Sequence, residues 1–302
     1  MNTYVLYHAN CADGFGAAWA AHLALSGKCH LIPVSYGSPL PPDIPDGSRV
    51  YILDFSYSQE IMDALAQRCT LTVIDHHETS EEALKGRAYG VWERYRSGAV
   101  LTWKFFNGDG PPVPKLLSYV EDRDLWSWLL PNSREISAGI AACPFDLRLW
   151  TNWVLNWTHA EAELLLTGRA MLAAQKKRLV RAVEAAQLLA VPFGEETLHL
   201  PAVNASCDQS EIGETLLQVW PESPAAVIFW QVRGKWVYSL RSRKSGFNCA
   251  ALAQAYGGGG HQAAAGFSRL MPPLPDFADV LPFPQDGFHF VPERKEAADG
   301  MA

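Results

Sequence analysis

Nothing in these 302 residues is long and apolar enough to span a bilayer. The first residues, Met1-Asn-Thr-Tyr-Val-Leu-Tyr-His8, lack the basic leader and small-residue cleavage site of a secretory signal. Basic residues are in deficit: 25 Lys and Arg against 32 Asp and Glu give a net charge of −7. That balance excludes a surface built to coat long duplex nucleic acid, which needs a broad positive footprint. It leaves a small anionic substrate open, because a bound cation can outweigh the field of the whole chain. The six cysteines are scattered, without CxxC pairs, so reduced thiols in a cytoplasmic protein are expected. Serine-hydrolase elbows, Walker loops and dinucleotide fingerprints are missing too.

What is present is a 48% hydrophobic, well-packed composition over a length that suits two domains. Apolar runs at Thr3–His8, Arg49–Asp54 and Leu71–Ile74 alternate with helical patterns at Asp13–Ser26 and from Ser58 to Arg68. Continuous apolar strands alternating with helices predict a parallel sheet covered on both faces. Residues 97–129 and 134–190 read as mostly helical. A second α/β pattern follows: strand Thr197–Val203, helix Ser210–Val219, strands Ala225–Val232 and Trp236–Arg241, and a helix near Asn248–Tyr256. The expected fold class is α/β: a parallel-sheet N-terminal domain (1–133), a helical connector (134–194), a smaller α/β C-terminal domain (195–270) and an extended tail (271–302).

The polar residues fall where such a fold uses them. His8, Asp54 and Asp75-His76-His77 all stand at or just past the C-terminal ends of strands, the edge at which open α/β sheets bind ligands. Mixed imidazole and carboxylate donors suit Mn²⁺, Fe²⁺ or Zn²⁺ better than Ca²⁺. Two such ions about 4 Å apart can activate water and stabilise a leaving oxygen in phosphoryl displacement. Near the other end, four glycines precede a histidine in Gly257-Gly-Gly-Gly-His261. Such a run is entropically costly unless the backbone must adopt unusual angles or approach a ligand, and its N–H groups with His261 can form an anion-binding concavity. Arg241, at a strand end, can add a bidentate phosphate contact. Lys176-Lys177-Arg178 reads as a solvated helix face, and Trp126 and Trp128 as core or interface residues.

In order and separation, these blocks resemble the DHH phosphoesterase family, in its branch with a DHH-associated C-terminal substrate domain, over roughly residues 1–270. The blocks are His8-Ala-Asn-Cys-Ala-Asp13-Gly14, Asp54, Asp75-His76-His77, Ser97-Gly98 followed by Asp122, and the GGGGH run. The resemblance implies two Mn²⁺ ions, or another divalent transition metal, at the strand ends. It implies His8 on the first ion, Asp54 bridging, and Asp13, His76 and Asp122 on the second, with Asp124 as the alternative to Asp122. His77 would face the scissile phosphate and Asp75 support the histidines; these two form the catalytic pair. Gly259, Gly260, His261 and Arg241 would grip a distal phosphate or nucleotide end. The first block departs from the family, whose members supply two aspartates there: this chain has Asp13, and Asn10 or Cys11 in the other's place. The expected activity is metal-dependent hydrolysis of phosphodiester or phosphomonoester bonds in short oligonucleotides or nucleotides. Hydrolysis of inorganic polyphosphate or pyrophosphate, and a catalytically weakened nucleotide-binding protein, are the alternatives.

Overall fold

Strand β1 (Thr3–His8) opens a computed structural model that describes residues 2–108, 110–270 and 277–280. After it come α1 (Ala12–Ala24), β2 (His30–Val34), β3 (Arg49–Leu53), α2 (Gln59–Arg68), β4 (Thr70–Asp75), α3 (Glu78–Leu84) and β5 (Gly90–Trp92). The five strands form one sheet in the order β2-β1-β3-β4-β5, every pair parallel. Alternation along each strand explains the two covered faces. Leu6, Ile52 and Val73 point to one side, where Met62 and Leu65 of α2 pack on them. Val5, Tyr51, Leu53 and Ile74 point to the other, against Ala17 and Ala21 of α1. Small α1 side chains let that helix lie close to the sheet. β2 escaped the sequence reading because Pro33 interrupts it; it lies at the sheet edge, where a missing N–H is tolerated.

The helices α4 (Gly98–Asn107), α5 (Lys115–Asp124), α6 (Ser133–Ala141), α7 (Leu147–Leu155) and α8 (Trp157–Glu184) follow. Trp19, Leu116, Leu117, Ile136, Trp150 and Leu164 share one buried cluster, so residues expected as a connector pack on α1. The chain divides into compact units at 1–175 and 176–302.

The second unit contains β6 (Gln187–Phe193), β7 (Glu196–Asn204), α9 (Gln209–Val219), β8 (Ala225–Val232), β9 (Lys235–Ser242), α10 (Cys249–Ala255), β10 (Gly259–Gly260), β11 (Ala264–Arg269) and β12 (Phe277–Val280). Among the described residues its sheet runs β10-β11-β9-β8-β7-β6-β12, antiparallel except for β7 with β8. Leu189, Val227, Tyr238 and Phe267 line one face with Leu252 of α10. Val203, Ala226 and Ile228 line the other with Leu216 of α9 and Val183 of α8. β6 falls inside the segment expected to be helical. Its buried Leu189 and Val191 have strand period, masked in the sequence by Ala- and Leu-rich neighbours. The expected tail lies outside the described residues apart from 277–280.

Candidate metal centre

Order β2-β1-β3-β4-β5 places a topological switch between β1 and β3, the crevice at which doubly wound sheets bind ligands. Four chain segments meet there. β1 ends on His8. Asp54 directly follows β3, β4 ends on Asp75 with His76 and His77 beyond it, and Asp13 sits in the first turn of α1. Asp54 Oδ2 lies 3.4 Å from His8 Nδ1, and Asp54 Oδ1 lies 3.2 Å from His76 Nε2. One carboxylate thus faces two positions. The same His76 nitrogen is 3.7 Å from Asp13 Oδ2 and 3.5 Å from Asp124 Oδ2.

Asp54 adopts φ 63°, the left-handed region, which aspartate tolerates better than most residues. Its N–H still donates to Ile74 O at 2.9 Å, so the strand end is fixed while the side chain turns into the rim. Asp13 is oriented by the start of α4: Gly98 N–H and Ala99 N–H donate to its two oxygens at 2.6 and 3.0 Å. Backbone donors at a helix N-terminus hold a carboxylate strongly. Asp75 is buried and accepts from Ser56 Oγ (2.7 Å), the His76 N–H (2.7 Å) and His77 Nδ1 (2.7 Å). Its place is to set the two histidines, and Trp92 Nε1 fixes the His77 carbonyl at 2.9 Å.

Electrostatics show what the rim lacks. Burial pushes the carboxyl of Asp13 well up, and the charges of Asp54 and Asp124 add to the rise. Burial raises Asp124 too, against the pull of His76. Burial also opposes ionisation of Asp54, yet bonds to His76 and His8 hold it well below the usual range. His76 is pushed up to about 10: burial resists its charge, but the bond to Asp54 and the charges of Asp124 and Asp13 prevail. Three buried or half-buried carboxylates therefore compete for one imidazolium. Such a donor set calls for divalent charge.

The two candidates of the fourth block occupy different surroundings. Asp122, favoured as the fourth-block ligand, turns away: its oxygens accept from Leu129 N–H (2.9 Å) and Leu130 N–H (3.1 Å). It braces the turn after α5, in which Trp126 and Trp128 take φ 51° and 55°. Asp124, two residues on, reaches His76 instead. Asp124→Asn is therefore expected to weaken metal binding with little change in metal-free stability. Asp122→Ala should strand two backbone donors and cost about 1–3 kcal/mol in denaturant unfolding. The reverse pattern would restore Asp122 to the site.

Of the two residues left open in the first block, Cys11 joins His8 and Asp54, the three donor atoms lying within 4.8 Å of one another, whereas Asn10 is exposed. Burial, then the charges of Asp54, Asp124 and Asp13, push the Cys11 thiol well up in the metal-free rim. Two residues escaped the sequence reading. Tyr36, just after β2, packs edge-on against His8 with ring centroids 4.7 Å apart and places its hydroxyl 3.3 Å from His77 Nε2. Ser56 is the other, bonded to Asp75. Neither carries a local motif; only the parallel register brings them in.

In the second unit, Arg241 of β9 pairs in register with Ala264 of β11, and Ala264 and His261 exchange backbone hydrogen bonds across a tight turn. Arg241 donates to Ser210 Oγ (2.9 Å), Ser239 Oγ (2.9 Å) and Leu240 O (2.8 Å). Gly258 backs directly on Gly266 O and Phe267, with no room for a Cβ. Part of the glycine run is therefore explained by close strand packing, a reason independent of any ligand.

A doubly wound sheet with a carboxylate–histidine cluster at its switch point brings together donor atoms that could hold a metal ion. No family model matches the chain. It is 27% identical over 293 residues to an uncharacterized protein of Acanthamoeba polyphaga mimivirus, a match covering 90% of this chain and 69% of that one. Among solved structures it is similar to the Mn²⁺ complex of RecJ from Thermus thermophilus (16% identity, 88% of this chain, 49% of that chain, TM-score 0.47). It is also similar to a pGpG-specific phosphodiesterase from Vibrio cholerae (14%, 89% and 93%, TM-score 0.46). An exopolyphosphatase-related protein from Bacteroides fragilis is a third (14%, 88% and 86%, TM-score 0.46). These scores carry no argument about activity, and the functional reading rests on the rim itself.

Proposed function

We propose that the chain is a metal-dependent phosphohydrolase of the DHH phosphoesterase kind, acting on phosphodiester or phosphomonoester bonds of short oligonucleotides or nucleotides. The observation that carries this reading is the convergence of His8, Asp13, Asp54, His76 and Asp124 on one sheet rim. Imidazole nitrogens and carboxylate oxygens in this ratio fit Mn²⁺ or a similar divalent ion. His8 and Asp54 would hold one ion, and Asp13, His76 and Asp124 a second, with Asp54 shared between them. When bound, such a pair supplies an activated water and stabilises charge on the leaving oxygen.

The protein's own groups do the rest. Asp75 pins His77 Nδ1–H, so His77 meets a ligand through Nε2. Burial opposes charge on His77, but the charge and bond of Asp75 raise its affinity for a proton. A charged His77 can then donate from Nε2 to a phosphate oxygen. Arg241, Gly259, Gly260 and His261 are assigned to hold a distal phosphate or nucleotide end, so that the first domain does chemistry and the second grips. His261→Ala is expected to keep metal content while raising KM, with a fall in kcat if remote grip aligns the phosphate. Metal loss equal to that of His76→Ala would refute the division.

The decisive assay is a substrate panel run with Mn²⁺ and again with chelator: short oligonucleotides, a nucleoside bisphosphate, cyclic dinucleotides and polyphosphate. Chelator-sensitive cleavage of the nucleotides is expected. Cleavage of polyphosphate alone would shift the assignment to the inorganic substrate. Binding without cleavage would make the chain a nucleotide-binding protein.

A further inference from the structure

We infer that Cys11 is a metal ligand, its thiolate standing in for a carboxylate and biasing the His8 position toward softer ions. The inference rests on the reading of the rim as a divalent-metal centre and specifies one of its positions. Cys11 precedes α1 with extended backbone (φ −125°, ψ 138°) and makes no side-chain capping bond to the helix. The sulfur instead groups with a His8 nitrogen and an Asp54 oxygen within 4.8 Å. Ligands about 2.0–2.3 Å from one tetrahedral ion stand roughly 3.3–3.8 Å apart, so the trio closes by at most about 1.5 Å.

A second observation points the same way. Asp54, its side chain 2% exposed, divides its oxygens: Oδ2 lies 3.4 Å from His8 Nδ1 and Oδ1 3.2 Å from His76 Nε2. A divalent ion on the His8 side gains from Asp54 only part of one negative charge if that carboxylate is shared. Asn10 is exposed and would contribute none in any case. Cys11 supplies the missing unit: the thiol proton leaves to solvent as the sulfur–metal bond forms, and the site's net charge falls by one. Thiolate favours Co²⁺, Zn²⁺ and Fe²⁺ over Mn²⁺ and Mg²⁺, whereas the all-oxygen-and-nitrogen set around His76 does not discriminate in this way. The two positions therefore differ in ion preference.

The test is a Co²⁺ titration of the full chain followed by absorption, with equilibrium dialysis for stoichiometry. Wild type should develop a thiolate-to-cobalt charge-transfer band in the near ultraviolet. Cys11→Ser should lose the band and hold less Co²⁺. Cys11→Asp should bind Co²⁺ without the band and accept Mn²⁺ more readily relative to Zn²⁺ than wild type does; it also keeps the test alive if the serine variant misfolds. Co²⁺ bound to wild type with no such band, or a band undiminished in folded Cys11→Ser, overturns the assignment while leaving the metal centre standing. Absence of Co²⁺, Zn²⁺ and Mn²⁺ binding by wild type overturns both.

Discussion

Asp54→Asn will give a folded protein whose turnover falls by about 10³-fold, a transition-state loss near 4 kcal/mol. Asparagine is the informative replacement because it tolerates the left-handed backbone, φ 63°, that alanine would strain. Only charge is removed. In wild type, Mn²⁺ at a hundred times its dissociation constant should add about 2.7 kcal/mol to stability, a rise of roughly 5–10 °C in Tm. The variant should show almost none of it, because Asp54 faces both the His8 and the His76 positions. Calorimetry with and without Mn²⁺ separates this from plain destabilisation. Metal-stimulated turnover within tenfold of wild type would remove Asp54 from the centre.

A second large effect, about a tenth of the first in fold-change, is expected at a residue that carries no ligand atom. A Cβ on Gly98 would lie 2.7 Å from both Cβ and Oδ1 of Asp54, closer than real contacts allow. Asp54 is tied to Ile74 O through its own N–H, and Gly98 N–H is tied to Asp13. Relief must displace one metal-facing carboxylate or the other. Gly98→Ala should therefore cut activity by about 10²-fold through misplacement of reacting groups, and cost about 1–3 kcal/mol from overpacking. Gly110→Ala, whose nearest neighbour would be Asn107 O at 3.6 Å, serves as the neutral control. A Gly98→Ala protein with wild-type metal affinity and turnover would show that α4 is free to yield.

The sequence made the first domain readable because its evidence was local. Val5, Ile52 and Val73 sit in continuous apolar runs that only buried parallel strands explain, and each run ends on a residue with a lone pair to offer. His8, Asp54 and His76 could be placed on one rim from that alone. What failed was information held in three dimensions. Asp122 and Asp124 are two apart near the end of one helix, and the backbone donors of Leu129 and Leu130 decide which is consumed structurally. No spacing rule carries that. Tyr36 became visible only through the pairing of β1 with β2, which sets Val34 beside His8. β6 was hidden for a different reason: Ala and Leu around it favour helix, and pairing with β7 overrides local preference.

The left-handed backbone at Asp54 has a consequence for how this chain can change over generations. Glycine there would relax the conformation, worth on the order of 1 kcal/mol. Asparagine would keep the shape and discard a buried charge. Either step would forfeit the bonds to His76 and His8 that hold the Asp54 carboxyl ionised, and only glycine would return the backbone strain in exchange. Carrying an aspartate in that position means bearing a standing backbone strain, offset by the ion pairs that its two oxygens make with His8 and His76.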